Sequence, residues 1–513
     1  MLSHRAAGLL LHPTSLPGPL GMGDLGTQAY AFVDYLADAK LTRWQILPLG
    51  PTGYGDSPYA SFSTFAGNHL LISLERLAHE GHLNEGELQP PAEFSAERVN
   101  YGPVIEWKLP RLRGAADHFL RHASDERHHA FHEFCQREAA WLDDYALFMA
   151  IKEVFDQRAR EANFEGATWC NFWDADIRSR QPEALERWRH EQGHTAAIHR
   201  VWQFWFFEQW LDVKRYANER GIHVIGDLPI FVALDSADVW AAPHEFRLDQ
   251  NLQPTHIAGV PPDYFAKTGQ RWGNPLYDWP RMQASGFRWW VERFRGIGRM
   301  VDWVRVDHFR GFAANWSVPA SEPTAQVGQW DGAPGHALFT ALRDQGVNVP
   351  IIAEDLGEIT ADVDELREAF GLPGMRILQF AFDAEEGRNL MYLPHNHEPN
   401  SVVYTGTHDN DTTRGWYAAR TEAERQSVDQ YLGRTCSEES VAWELIRTAW
   451  ASVCRLAVAP MQDVLNLGTE ARMNLPGVIG PENWSWRLPA DYAVGDTAAR
   501  LAAFSELYGR AKT

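Results

Sequence analysis

Four short segments of this chain end on, or run straight into, an acid. HVIGD ends at Asp227, VDWVRVD at Asp307 and PIIAE at Glu354, while SVVYTGTH leads into Asp409. Any one of them alone has an ordinary explanation, because acids open loops and cap helices. Four acids gathered on one face would instead suit glycoside cleavage. There, one carboxyl group protonates the leaving oxygen and another attacks the anomeric carbon or activates water. In VDWVRVD, side chains two apart point the same way, so Trp303, Arg305 and Asp307 share a face. A guanidinium beside Asp307 favours the charged carboxylate, which suits a nucleophile as well as a buried structural pair. Glu354 closes an apolar run, and an apolar floor favours the protonated form that a general acid needs.

The elements that must position these acids are short apolar segments. They lie at 8–12 (GLLLH), 44–49 (WQILPL), 223–232 (HVIGDLPIFV), 300–309 (MVDWVRVDHF), 350–356 (PIIAEDL), 374–380 (GMRILQF), 401–406 (SVVYTG) and 456–461 (LAVAPM). Helical patterns fall between them at 27–40, 195–220, 289–299, 336–345 and 362–370. Strands alternating with helices argue for a parallel sheet, and eight such units argue for a (β/α)8 TIM barrel of α/β class. A doubly wound open sheet is the alternative. The expected organisation is one catalytic barrel over 1–513 with two insertions. One is a helical subdomain after the second strand, 75–195; the other, 235–290, is a loop subdomain carrying an active-site lid. Catalysis in such barrels sits at the carboxyl ends of the strands, where the four acids fall.

Composition narrows the substrate. Lys and Arg number 47 against 68 Asp and Glu, a formal charge of −21. That balance disfavours nucleic acid and anionic membrane surfaces as partners, and it suits a neutral ligand. The four cysteines, Cys135, Cys170, Cys436 and Cys454, show no C-x-x-C spacing, so neither a zinc cage nor a redox motif is signalled. No run of eighteen apolar residues predicts a membrane span, and the N-terminal run GLLL is too brief for a signal-peptide core. The expectation is a cytoplasmic protein, monomeric or weakly homo-oligomeric, using no cofactor and no metal. Tryptophan, at 22 residues, stands out. It fits an aromatic core, and also a cleft whose flat faces would meet sugar rings.

Several motifs carry a resemblance in order and spacing: LLHPTSLPG, SPYASFSTFAGN, GDLPIFV, WGNPLY, VRVDHFRG, IAEDLG, LPHN, GTHDNDT and RMNLPG. Together they run from residue 10 to residue 477. The chain resembles the 4-α-glucanotransferases known as amylomaltases or disproportionating enzymes, in the α-amylase superfamily. The resemblance implies transfer of α-1,4-glucan segments between maltooligosaccharides by a retaining double displacement. It implies Asp307 as nucleophile, Glu354 as general acid/base and Asp409 as the third carboxylate. Tyr59 resembles the aromatic platform under the sugar at the cleavage point. Asp227, Arg305 and His408 resemble direct sugar contacts. Gln270 and Trp272 resemble acceptor-side contacts of a lid loop, and Tyr264, Phe265 and Asn474 further substrate contacts. Two positions depart from the family pattern: Ala60 follows the SPY tyrosine, and His69 stands in GNHLL. Neither touches the carboxylates.

Other signals are set aside. Gly21, Gly23 and Gly26 match G-x-G-x-x-G, but prolines separate them from the first strand, so a dinucleotide site is not expected. His128, His129 and His132 read as a solvated helix face. Two rivals to transfer remain: an amylase-type hydrolase, and a glucan-binding protein without catalysis.

Overall fold

The computed structural model describes residues 4–90, 93–262, 267–357, 359–382 and 390–511. Among the described residues, twelve strands form two sheets. The larger sheet has eight parallel strands: β1 (Ala6–Leu10), β2 (Arg43–Gln45), β3 (His223–Pro229), β6 (Trp303–Asp307), β9 (Ile351–Ala353), β10 (Gly374–Ile377), β11 (Ser401–Tyr404) and β12 (Leu456–Pro460). Each lies inside one of the eight apolar runs or overlaps it closely. In space they follow the order β10-β11-β12-β1-β2-β3-β6-β9. Strands such as AAGLL and SVVY are buried along their whole length, because helices cover one side and the barrel interior fills the other.

The ring closes between β9 and β10 without a regular ladder. There the Ala353 N–H donates to the Pro373 carbonyl at 2.9 Å. The Asp355 carboxylate takes over beyond it, accepting the Met375 N–H at 2.6 Å. Arg367 and Arg376 each approach the same carboxylate to 3.4 Å. Gly374 makes room for this staple, since a Cβ there would stand 2.1 Å from Asp355 Oδ2. The result is a nearly closed eight-stranded (β/α)8 barrel. Helices Thr27–Asp38, Gly193–Glu219, Arg288–Met300, Gly335–Asp344 and Ala361–Ala369 match the five helical patterns.

The smaller sheet is antiparallel and was not legible as strands. It orders β5 (Gln270–Pro275), β4 (His256–Val260), β7 (Ala314–Pro319) and β8 (Gln329–Gly332). Two of its strands come from the stretch after β3 and two from the stretch after β6. Strand β5, which carries Gln270 and Trp272, therefore hangs on a sheet that reaches beyond 235–290 into 314–332. Between β2 and β3 the chain is mostly helical, with Tyr101–His122, Asp125–Glu161 and Pro182–Glu191 packed against Gly193–Glu219.

Most tryptophans serve this packing rather than a cleft. Trp44, Trp169, Trp202, Trp205, Trp210, Trp240, Trp290 and Trp450 are all under 2% exposed. Trp272 and Trp330 are the exposed ones, at 38% each. Among the described residues the cysteines are free thiols, and no helix is long and apolar enough to cross a membrane.

Candidate active site

The site is built outward from Arg305. It stands in β6 between Val304 and Val306, both fully buried against the surrounding helices, while its own side chain turns into the barrel. The β3–β6 ladder pairs Arg305 with Asp227, so the two side chains meet. Arg305 Nη1 donates to Asp227 Oδ1 at 2.8 Å and Oδ2 at 2.7 Å, and to Asp307 Oδ1 at 3.0 Å. Burial works against the Arg305 charge. The Asp227 and Asp307 carboxylates outweigh it and hold the guanidinium pKa well above its ordinary value. Burial raises the Asp227 pKa while Arg305 pulls it down. Asp307 keeps 29% of its side chain exposed at the strand end, facing the cleft.

The loop after β2 brings Tyr59 onto this pair. Its hydroxyl donates to Asp227 Oδ2 at 2.8 Å and lies 3.0 Å from His408 Nε2. Both contacts are satisfied when His408 carries its proton on Nε2. The two rings stack with centroids 5.3 Å apart. Burial, with the Asp227 charge beside it, raises the Tyr59 pKa well above its ordinary value, so the group stays a phenol. The loop after β11 carries His408 and Asp409. Asp409 Oδ1 accepts from Asn474 Nδ2 at 2.6 Å and lies 3.4 Å from His408 Nε2.

Glu354 directly follows β9. Its Oε2 accepts the His308 N–H at 2.7 Å and its Oε1 the Leu356 N–H at 3.1 Å. The first contact depends on an unusual backbone, because His308 has φ +49°, a left-handed conformation that is costly for a residue with a Cβ. Burial is the dominant influence on Glu354. It pushes the pKa from 4.5 up to about 8, with Arg305 pulling down and Asp307 adding to the rise. Burial likewise lowers the His308 pKa to about 4, so its ring is neutral.

Beside His308, β5 holds Gln270 and Trp272. The Trp272 ring meets the His308 ring edge-on at 4.8 Å, and its Nε1 donates to Gln270 Oε1 at 3.2 Å. Asn274 ties the strand down by donating to the Val232 carbonyl at 2.8 Å. Tyr264 and Phe265 lie outside the described residues.

Tyr59, Asp227, Arg305, Asp307, His408, Asp409 and Asn474 thus form one unbroken line of contacts. His308 then joins Asp307, its chain neighbour, to Glu354 and Trp272. Three participants escaped the sequence reading. Trp484 packs against Tyr59 at 5.7 Å and His408 at 6.0 Å. Arg472 donates to the Asp409 carbonyl. His308 stands beside Asp307. The excess of tryptophan could have flagged Trp484; Arg472 and His308 stand inside RMNLPG and VRVDHFRG, but nothing local sets them apart from their neighbours there. Among the described residues, no group of three His, Cys, Asp or Glu side chains is placed to hold a metal ion.

The family model described as 4-alpha-glucanotransferase matches residues 11–492. The 4-alpha-glucanotransferase of Synechocystis sp. is 49% identical over 513 residues, covering 99% of each chain. That of Thermus thermophilus is 50% identical over 508 residues, covering 98% of each. The solved amylomaltase from Streptococcus agalactiae in complex with acarbose superposes with a TM-score of 0.93 at 38% identity, covering 99% of this chain and all of that one. A match of that extent, on a barrel whose strand ends carry this ring of carboxylates, shows that the chain belongs to the 4-α-glucanotransferase family.

Proposed function

We propose that this enzyme moves α-1,4-glucan segments between maltooligosaccharides by a retaining double displacement through a glycosyl-aspartate at Asp307. The observation that carries the reading is the contrast between two adjacent carboxyl groups. Asp307 is hydrogen-bonded to a guanidinium, whereas desolvation pushes the Glu354 pKa up to about 8. One is thereby equipped to attack and the other to donate a proton.

In the first step Glu354 gives its proton to the glycosidic oxygen as an Asp307 oxygen bonds to the anomeric carbon and the leaving chain departs. In the second, Glu354 takes the proton of an acceptor hydroxyl, which displaces Asp307. Asp409, held by Asn474, is placed to bind sugar hydroxyls, and Tyr59 to lie beneath the ring. Asp227, Arg305 and His408 complete the sugar's surroundings. The relative solved with acarbose supports an oligosaccharide in this cleft.

Transfer requires an acceptor hydroxyl to outcompete water. Gln270 and Trp272 support that outcome, because a bound acceptor has a high effective molarity and the indole covers the approach beside His308. Tyr264 and Phe265 belong to the same proposed lid. The test is to incubate the enzyme with maltotriose alone and separate the products by size, with Asp307→Asn alongside. A ladder of longer oligosaccharides plus glucose, absent in the variant, is the expected result. Glucose and maltose alone would identify a hydrolase.

A further inference from the structure

Arg293 belongs to the helix Arg288–Met300, outside the ring of carboxylates, and is 1% exposed. Its guanidinium lies 5.3 Å from the Trp289 ring and 4.8 Å from the Trp290 ring. A buried cation usually meets a carboxylate, because leaving water is costly. The hydrogen bonds of Arg293 go to neutral oxygens instead. Nη2 donates to the Pro229 carbonyl at 2.5 Å, and Nη1 to the Ile230 carbonyl at 3.0 Å and the Tyr277 hydroxyl at 3.3 Å. Nε donates to Thr64 Oγ1 at 2.7 Å. Asp238, buried nearby, accepts the Thr64 N–H at 2.8 Å and anchors the same loop from its other side.

These oxygens belong to three separate segments, and each segment carries site residues. Thr64 lies five residues beyond Tyr59 on the loop after β2. Pro229 ends β3, two residues past Asp227. Tyr277 follows β5, the strand of Gln270 and Trp272. The Tyr277 hydroxyl also donates to the Ile230 carbonyl at 2.6 Å, joining the root of the lid strand to the exit of β3. A planar guanidinium offers several N–H groups in fixed directions, which an ammonium does not.

We propose that Arg293 is the positioning residue that sets the lid strand and the Tyr59 loop against the end of β3, and so governs how well an acceptor sugar competes with water. Arg293 touches no substrate; its influence passes through Trp272 and Tyr59. The inference rests on the transfer reading above.

Two variants test it. Arg293→Lys keeps the charge and loses the fork. Tyr277→Phe removes only the hydroxyl between Arg293 and Ile230. Both are first checked for folding by thermal melting. With maltotriose, the readouts are the ratio of hydrolysis to transfer and the KM for added glucose as acceptor. The expected result is a hydrolysis ratio and an acceptor KM each raised at least about threefold, since small misplacements cost reactions that depend on positioning. The double variant should be little worse than Arg293→Lys alone, because both changes cut one link. A wild-type ratio in folded Arg293→Lys overturns the proposal. If that variant does not fold, a wild-type ratio in Tyr277→Phe overturns it equally. Absence of longer products from the unaltered enzyme overturns the transfer reading and this inference with it. Normal transfer with an unchanged ratio in the variants overturns this inference alone.

Discussion

The backbone N–H of His308 donates to the Glu354 carboxylate at 2.7 Å, so the residue following Asp307 holds its partner acid in place. The two carboxyl groups come from β6 and from the end of β9, which are neighbours in the barrel. The left-handed backbone at His308 is the local cost of aiming that N–H across.

The pH dependence follows from Glu354. Its pKa is raised from 4.5 to about 8, chiefly by burial. On the proposed mechanism, the proton that Glu354 gives to the glycosidic oxygen is therefore present through neutral pH and lost above it. We expect kcat/KM for maltotriose to fall as pH rises through about 8. The same raised pKa makes the protonated form stabilising. That contribution is complete below about 4.5, declines as pH rises, and is gone above about 8. Glu354→Gln should abolish transfer and flatten the fall of melting temperature across that window. An unchanged slope in the variant would rule out Glu354 as its source.

Tyr59→Phe keeps the ring stacked on His408 and removes the hydroxyl that joins His408 to Asp227. Two buried polar groups then lose a partner, at about 1–3 kcal/mol. If that loss is felt in the transition state, kcat/KM should drop roughly ten- to a hundredfold, with the melting temperature lowered modestly. Steady-state kinetics with maltotriose measures it.

Trp272→Ala uncovers the approach beside His308. We expect the share of hydrolysis products to rise at the expense of longer oligosaccharides, while donor cleavage persists. Product separation by size settles the point, and an unaltered ratio would defeat the shielding role.

Gly374→Ala tests the closure of the barrel. Its Cβ would meet Asp355 Oδ2 at 2.1 Å, displacing the carboxylate that accepts the Met375 N–H. The expected destabilisation is about 2 kcal/mol or more, read by denaturant melts. Adding Asp355→Ala removes the clash, so the double variant should lose less than the sum of the two single changes.

The barrel was legible because most residues of its eight strands are buried, on both faces. Such strands read as continuous apolar runs that stand out from helical spacing. The acids were legible because each stands near the carboxyl end of an apolar run or, for Asp409, shortly beyond it. The smaller sheet was not. QWDG at β8 and QRWGNP at β5 carry no regular alternation; β8 is largely exposed and β5 mostly half-buried or exposed. Their pairing joins segments that the chain keeps far apart, and long-range partnership leaves no local periodicity to read.

The sequence by itself pointed to the barrel, to acids at or near its strand ends, and to the sharing of one face by Trp303, Arg305 and Asp307, because alternation along a strand is a local property. Only the tertiary structure decided which neighbours those acids meet. Asp227 and Arg305 stand 78 positions apart and meet through strand register. Glu354 is kept protonated by burial, which depends on everything packed around it. One backbone angle turns the His308 N–H toward Glu354, and three separate segments converge on the buried Arg293 guanidinium. Such effects depend on distance and exclusion of water, and these are set when separate segments pack together.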